Sequence, residues 1–144
     1  MLLGYKAYPA WETKMNLLFI CRYNRFRSKV AEAIFNKLNE KKESKARSRG
    51  IILDKERDYV EKNVIVLLKE KGYGIKNTKP LRICERAIEW ADKIIVVADN
   101  VEYDFGNKEI EVWKVQDCNA NEKEKIKKII EQIESKVKIL IKSL

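Results

Sequence analysis

The chain has 144 residues, 45% hydrophobic and 37% charged, with a formal net charge of +9 and no histidine. That length suits one domain around one core, and the balance is too apolar for a disordered chain. No apolar run approaches the ~20 residues of a bilayer crossing, and three cysteines are too few for a disulfide framework.

Residues 1–14 show no clear period and read as an N-terminal extension, leaving 15–144 for the domain. This start lacks the positive flank and apolar stretch of a signal peptide, so a cytoplasmic location is expected. Asn16–Ile20 is a short, continuous apolar run, the pattern of a strand buried on both faces. Val30, Ala33, Ile34 and Leu38 then recur at helical spacing, predicting a helix over 29–41. A weaker strand spans 45–52 and includes Gly50. A helix over 56–71 carries Val60, Val64, Leu67 and Leu68 on one face and stops at Gly72 and Gly74. A short helix follows Pro80, from Leu81 to Ala91, with Cys84 expected in the core. The clearest buried strand is 93–98, and 109–115 alternates as an edge strand would. Asn121 with Glu124 resembles a capping box opening a last helix, whose Ile126, Ile130, Ile133, Val137 and Leu140 share a face. Trp90 and Trp113 read as core or interface residues. Helices alternating with well-separated strands predict a single three-layer α/β domain. Its sheet is expected to be parallel, with helices on both faces.

The segment that carries chemistry is Cys21-Arg22-Tyr23-Asn24-Arg25-Phe26-Arg27-Ser28, between a buried strand and an amphipathic helix. In open α/β sheets, ligands bind at the carboxyl ends of strands. A loop entering a helix N-terminus there aims backbone N–H groups and the positive dipole end at one point. Such a cradle holds a phosphate dianion and favours the ionised form of a thiol beneath it. Without histidine, Cys–His and Ser–His–Asp nucleophile systems and the usual zinc ligand sets are excluded. Activation must come from backbone dipoles, arginine or a carboxylate. Cys21 is therefore read as a nucleophile toward phosphorus, and Arg27 as a planar fork for two phosphoryl oxygens. Ser28 can donate a hydrogen bond to the thiolate, and Asn24 can pin a loop with left-handed residues. Arg22, Tyr23, Arg25 and Phe26 complete the substrate-binding loop with Asn24 and Ser28.

This stretch resembles the amino-terminal signature of the low-molecular-weight protein tyrosine phosphatases. The resemblance continues through ARSRG, with Ser48 and Gly50, and through the strand ending at Asp99. It spans Asn16 to about Leu140 and implies a four-stranded parallel sheet. It also assigns Asp117, in KVQDC, to the place of the family's general acid. The acid protonates the leaving oxygen and then activates water against a phosphocysteine intermediate. No metal or cofactor is implied, because Arg27 and backbone amides supply the charge. Asp99 is open to two readings, a support for the loop or the start of a turn. The chain departs from the family's loop at Tyr23 (for Gly), Phe26 (for Cys) and Lys29 (for Pro). Cys118 stands where the family has the proline after the acid.

The expected partner is a phosphorylated protein or a small phosphate ester, bound by a monomer, with affinity for phosphate-like oxyanions. Two alternatives compete. Arsenate reduction would use the same loop, but 96–105 lacks the two further cysteines such relatives place after the third strand. A non-catalytic phosphate- or nucleic-acid-binding module would exploit the positive charge. No RNA-recognition signature supports it, so nucleic acid is not an expected partner.

Overall fold

The computed structural model describes residues 14–41 and 43–144, so most of the proposed extension lies outside the described residues. Strands β1 (Asn16–Cys21), β2 (Lys45–Gly50), β3 (Lys93–Val97) and β4 (Glu109–Trp113) form one sheet in the order β2-β1-β3-β4. All neighbouring pairs are parallel. The helices are α1 (Arg27–Leu38), α2 (Lys62–Glu70), α3 (Glu85–Trp90) and α4 (Lys123–Ser143). The predicted single α/β domain with a four-stranded parallel sheet is the fold observed.

Burial explains the apolar run of β1. Leu17 and Phe19 join Ile95 and Val97 in the larger core under α1, α2 and α4, whereas Leu18 and Ile20 join Ile94 and Val96 on the α3 face. Phe19 lies at the centre of the larger core, 6.3 Å from the Phe35 ring and 5.8 Å from that of Trp113. The α4 stripe of Ile126, Ile130, Ile133, Val137 and Leu140 is buried as its spacing predicts. No helix among the described residues is long and apolar enough to cross a membrane.

Four local expectations need correction. The second helix begins at Lys62 rather than 56, because Asp54 Oδ1 accepts the N–H groups of Glu56 and Arg57 and holds a turn there. The capping box at Asn121 does not form. Glu122 is the N-cap of α4, and its carboxylate instead accepts the Asn119 N–H at 2.9 Å. The first helix stops at Leu38 because the Asn39 amide donates to the carbonyls of Lys41 and Ser44 and turns the chain. Cys84 is exposed, because it is the extended N-cap of a six-residue helix that buries only Ala87. Of the two tryptophans, Trp113 is buried, whereas Trp90 is half-buried beneath the Arg47 guanidinium, 4.2 Å away.

The end of β2 touches the loop that leaves β1. Gly50 donates to the Leu81 carbonyl at 2.8 Å and accepts the Ile83 N–H at 2.8 Å, which presses its α-carbon against residues 22–24. A Cβ at this position would meet the Tyr23 carbonyl carbon at 2.7 Å and the Asn24 nitrogen at 2.8 Å. Both are backbone atoms with no room to retreat. Gly50→Ala should therefore cost about 1–3 kcal/mol by overpacking. The measurement is the urea midpoint, expected to fall with the slope unchanged. A midpoint equal to that of the parent would show that the loop absorbs the methyl group.

Candidate active site

The loop 22–26 carries the chain from the end of β1 into α1. Phe26 caps the helix without a side-chain hydrogen bond, and the first turn holds no acidic residue. It holds Arg27 and Lys29 instead, cations at the positive end of a helix dipole, an arrangement that an anion would stabilise. Among the described residues, the backbone N–H groups of 22–26 find no hydrogen-bond partner within the chain. Those five donors are available for an oxyanion.

Asn24 holds the loop in shape. It is fully buried at φ 56°, the left-handed region, and is the one non-glycine described residue there. Tyr23, at the position of the family's glycine, is not in that region. The substitution therefore asks nothing unusual of the backbone. Asn24 Oδ1 accepts the Leu81 N–H at 2.9 Å, so its amide nitrogen faces two serines. That nitrogen donates to Ser28 Oγ at 2.7 Å and to Ser48 Oγ at 2.9 Å. Ser48 in turn donates to Glu32 Oε1 at 2.5 Å. Ser28 accepts from Asn24 and shares a hydrogen bond with Cys21 Sγ, 2.9 Å away; with the sulfur ionised, the Ser28 hydroxyl is the donor.

Cys21, itself buried, lines a cleft of about 170 Å³ together with Tyr23, Arg25, Phe26 and Arg27. Arg57, Glu61 and Val64, and Asp117–Ala120 with Ile126, complete its lining. Arg27 is 2% exposed and donates through Nη1 to the Val115 carbonyl at 2.7 Å. Two carboxylates stand just beyond hydrogen-bond range of it, Asp99 at 3.6 Å and Asp117 at 3.8 Å. Most of its five N–H groups therefore remain uncommitted. The Asp117 side chain is 49% exposed on the cleft rim, and its Oδ1 accepts the Cys118 N–H at 2.9 Å. Burial, followed by the neighbouring carboxylates of Asp117 and Glu122, pushes the Cys118 thiol above its ordinary pKa.

Of the residues selected from sequence, Cys21, Tyr23, Arg25, Phe26, Arg27 and Asp117 share this cleft. Asn24 and Ser28 lie buried behind it, where they shape the loop. Arg22 is exposed outside it, in a separate depression with Asp99 and Asn100–Glu102. Arg25 lies on the α2 side of the cleft, where its Nε donates to the Tyr59 carbonyl at 3.0 Å and it pairs with Glu61. The apolar spacing that predicts a helix through 56–61 hides Arg57 and Glu61 as cleft residues. The signal that finds them is Asp54, a turn-former three residues before Arg57.

Comparisons agree with this geometry. No curated protein matches the chain significantly by sequence. An arsenate reductase from Archaeoglobus fulgidus superposes with a TM-score of 0.76 at 27% identity, covering 88% of this chain and 98% of its own. A low-molecular-weight protein tyrosine phosphatase from T. tengcongensis does so with a TM-score of 0.76 at 23% identity, covering 90% and 99%. Wzb from Vibrio vulnificus, in complex with benzylphosphonate, superposes with a TM-score of 0.76 at 18% identity, also covering 90% and 99%. The family model described as low molecular weight phosphotyrosine protein phosphatase matches residues 16–144, and the chain belongs to that family.

Proposed function

We propose that the protein hydrolyses phosphate monoesters through a phosphocysteine on Cys21, with phosphotyrosyl residues of proteins as its substrate class. The observation that carries this reading is the hydrogen bond between Ser28 Oγ and Cys21 Sγ, 2.9 Å long, beneath a loop of unpaired N–H groups. The loop amides and the Arg27 fork hold three phosphoryl oxygens, and the thiolate attacks phosphorus opposite the ester oxygen. Asp117, on the rim beside Arg27, donates its proton to that oxygen as the P–O bond breaks. The resulting carboxylate then takes a proton from water as the water attacks the phosphocysteine. Cys21 leaves as a thiolate that the Ser28 hydroxyl stabilises. An aryl leaving group suits the walls, where Tyr23 and Phe26 offer apolar surface beside the polar rim.

Arsenate reduction is the second reading, favoured by one observation: Cys118 lines the same cleft as Cys21. In that scheme Cys21 would bond arsenic with loss of hydroxide. A Cys118 thiolate would then attack the Cys21 sulfur, releasing arsenite and leaving a disulfide. The raised thiol pKa of Cys118 weighs against this, because little thiolate would be present at neutral pH. The hydrolytic reading is preferred. Arsenite release in the presence of a dithiol, abolished by Cys118→Ser, would reverse that preference.

The nucleophile is tested with an aryl phosphate. Cys21→Ser should abolish turnover yet still bind phosphate, and a variant retaining more than about a tenth of the parent rate would sink the assignment. Arg27→Lys should be severely impaired, since a point charge does not replace the fork. The acid is tested by varying the leaving group. Asp117→Asn should lower kcat by about 10²–10⁴-fold for poor leaving groups and progressively less for good ones. An equal loss across the series would make Asp117 structural.

A further inference from the structure

A groove of about 370 Å³ lies between α1 and the loop that follows α2, and it shares no lining residue with the cleft of Cys21. That size is within the range of small-molecule sites. Helix α1 contributes Lys29, Glu32, Ala33 and Lys37, and the loop contributes Ile75 and Lys76. Lys29 is 2% exposed, a buried cation that the proposed mechanism does not use. Its ammonium donates at 3.0 Å to the carbonyl of Lys79, in the strap that leads into α3, and this engages one of its three N–H donors. Among the described residues, Lys29, Lys37 and Lys76 form no ion pair. Glu32, one turn along α1, favours the Lys29 charge, but its carboxylate already accepts the Ser48 hydroxyl at 2.5 Å. A buried charge without a counter-ion is costly, and a bound anion offsets that cost.

The rest of the lining is rich in donors. Among the described residues, the successive backbone N–H groups of 74–77 find no partner within the chain. Asn77 Oδ1 accepts the Lys79 N–H at 3.0 Å, which leaves the Asn77 amide nitrogen to donate into the groove. Against three lysines the lining sets one carboxylate, Glu32, so positive charge is in excess. Ammonium groups and successive turn N–H groups suit a phosphoryl group, whereas a planar carboxylate is matched best by an arginine fork. Ala33 and Ile75 add apolar surface for a short organic part. The lining holds no cysteine, serine or threonine, so nothing in the groove accepts a phosphoryl group by transfer. Its chemistry is that of binding.

We propose that this groove is a second ligand site, which binds a small organic phosphate. Lys29, Lys37 and Lys76 surround the phosphoryl group, and its organic part lies against Ala33 and Ile75. The site is separate from the catalytic cleft and does not depend on the role of Cys21. It accounts for a lysine buried after Ser28, where the strap supplies only a neutral carbonyl.

The probe is propylphosphonate, a phosphate mimic with no ester bond to hydrolyse, titrated into isotope-labelled protein and followed by NMR. The backbone amides of Gly72, Gly74 and Ile75 report on the groove, and those of Tyr23–Phe26 report on the cleft. The groove amides should shift saturably, with an affinity of their own. Lys37 and Lys76 are both exposed, so the double variant Lys37→Gln/Lys76→Gln keeps the fold. It should weaken the groove titration about tenfold and leave the loop titration unchanged. Lys29→Met should abolish the groove titration, and a folded Lys29→Met that still binds overturns the proposal. Groove amides that stay still while the loop amides titrate also overturn it. So do groove shifts that sodium chloride reproduces at equal ionic strength, or that keep the parent affinity in the double variant. The double variant decides even where Lys29→Met fails to fold. None of these outcomes touches the activity of Cys21→Ser, so the phosphatase reading stands or falls separately.

Discussion

The site depends on one side chain in a left-handed backbone. Asn24 has a side-chain oxygen and nitrogen to satisfy in a fully buried place, and the fold supplies partners from three separate segments. Its amide reaches Ser28 on α1, Ser48 on β2 and Leu81 on the strap before α3, while its own backbone sets the loop's curvature. Burying an amide without partners costs several kcal/mol. The network is therefore all or nothing, and each partner has one orientation available. That fixed orientation reaches the sulfur: the Ser28 hydroxyl that accepts from Asn24 is also the hydrogen-bond partner of Cys21 Sγ.

The sheet order makes this convergence possible. β1 lies inside the sheet between β2 and β3, so its carboxyl end is flanked by the ends of both neighbours. From β2 come Ser48 and Gly50, and just beyond β3 comes Asp99. The register places Cys21 directly beside Gly50, the residue with no side chain to keep the loop away. The chain enters the cleft again after β4, with Val115 and Asp117. Parallel pairing brings strand ends to one edge, and the crossover helices cover the two faces.

Features with a short physical period were legible in the sequence. β1, β3 and the α4 stripe announce themselves because burial on one or two faces dictates their apolar spacing. The loop was legible because Cys21, Arg27 and Ser28 sit between such elements. What escaped was set by single hydrogen bonds across long sequence distances. Asp54 stops a helix that the apolar spacing of Val60 and Val64 favours, and its effect moves Arg57 and Glu61 into the cleft wall. Cys84 fits a helical pattern, yet the helix beside it is too short to bury it. Tyr23 stands where the family has glycine, yet the turn's positive φ is carried by Asn24. The exposure of Arg22 and the inward turn of Arg25 toward Glu61 have no local signature at all.

Arg27 joins the two halves of the proposed chemistry, and its surroundings imply an order of events. It is a nearly fully buried guanidinium with one firm hydrogen bond, to the Val115 carbonyl, and two carboxylates just out of range. The firm bond fixes the segment that carries Asp117 relative to the loop that carries Cys21. The loose pairs offset the cation's burial before substrate arrives, at little cost to break. A phosphoryl group bound to the loop needs the same N–H groups that face Asp99 and Asp117. Two new anionic oxygens at the fork make the guanidinium a weaker partner for both carboxylates. Asp117 is the more exposed of the two, at 49% against 38%, and has the freer rim position. On the proposed reading, substrate binding thus frees Asp117 from Arg27 and leaves it beside the leaving oxygen. On that reading, the residue that grips the phosphate is also the one that lets the acid go.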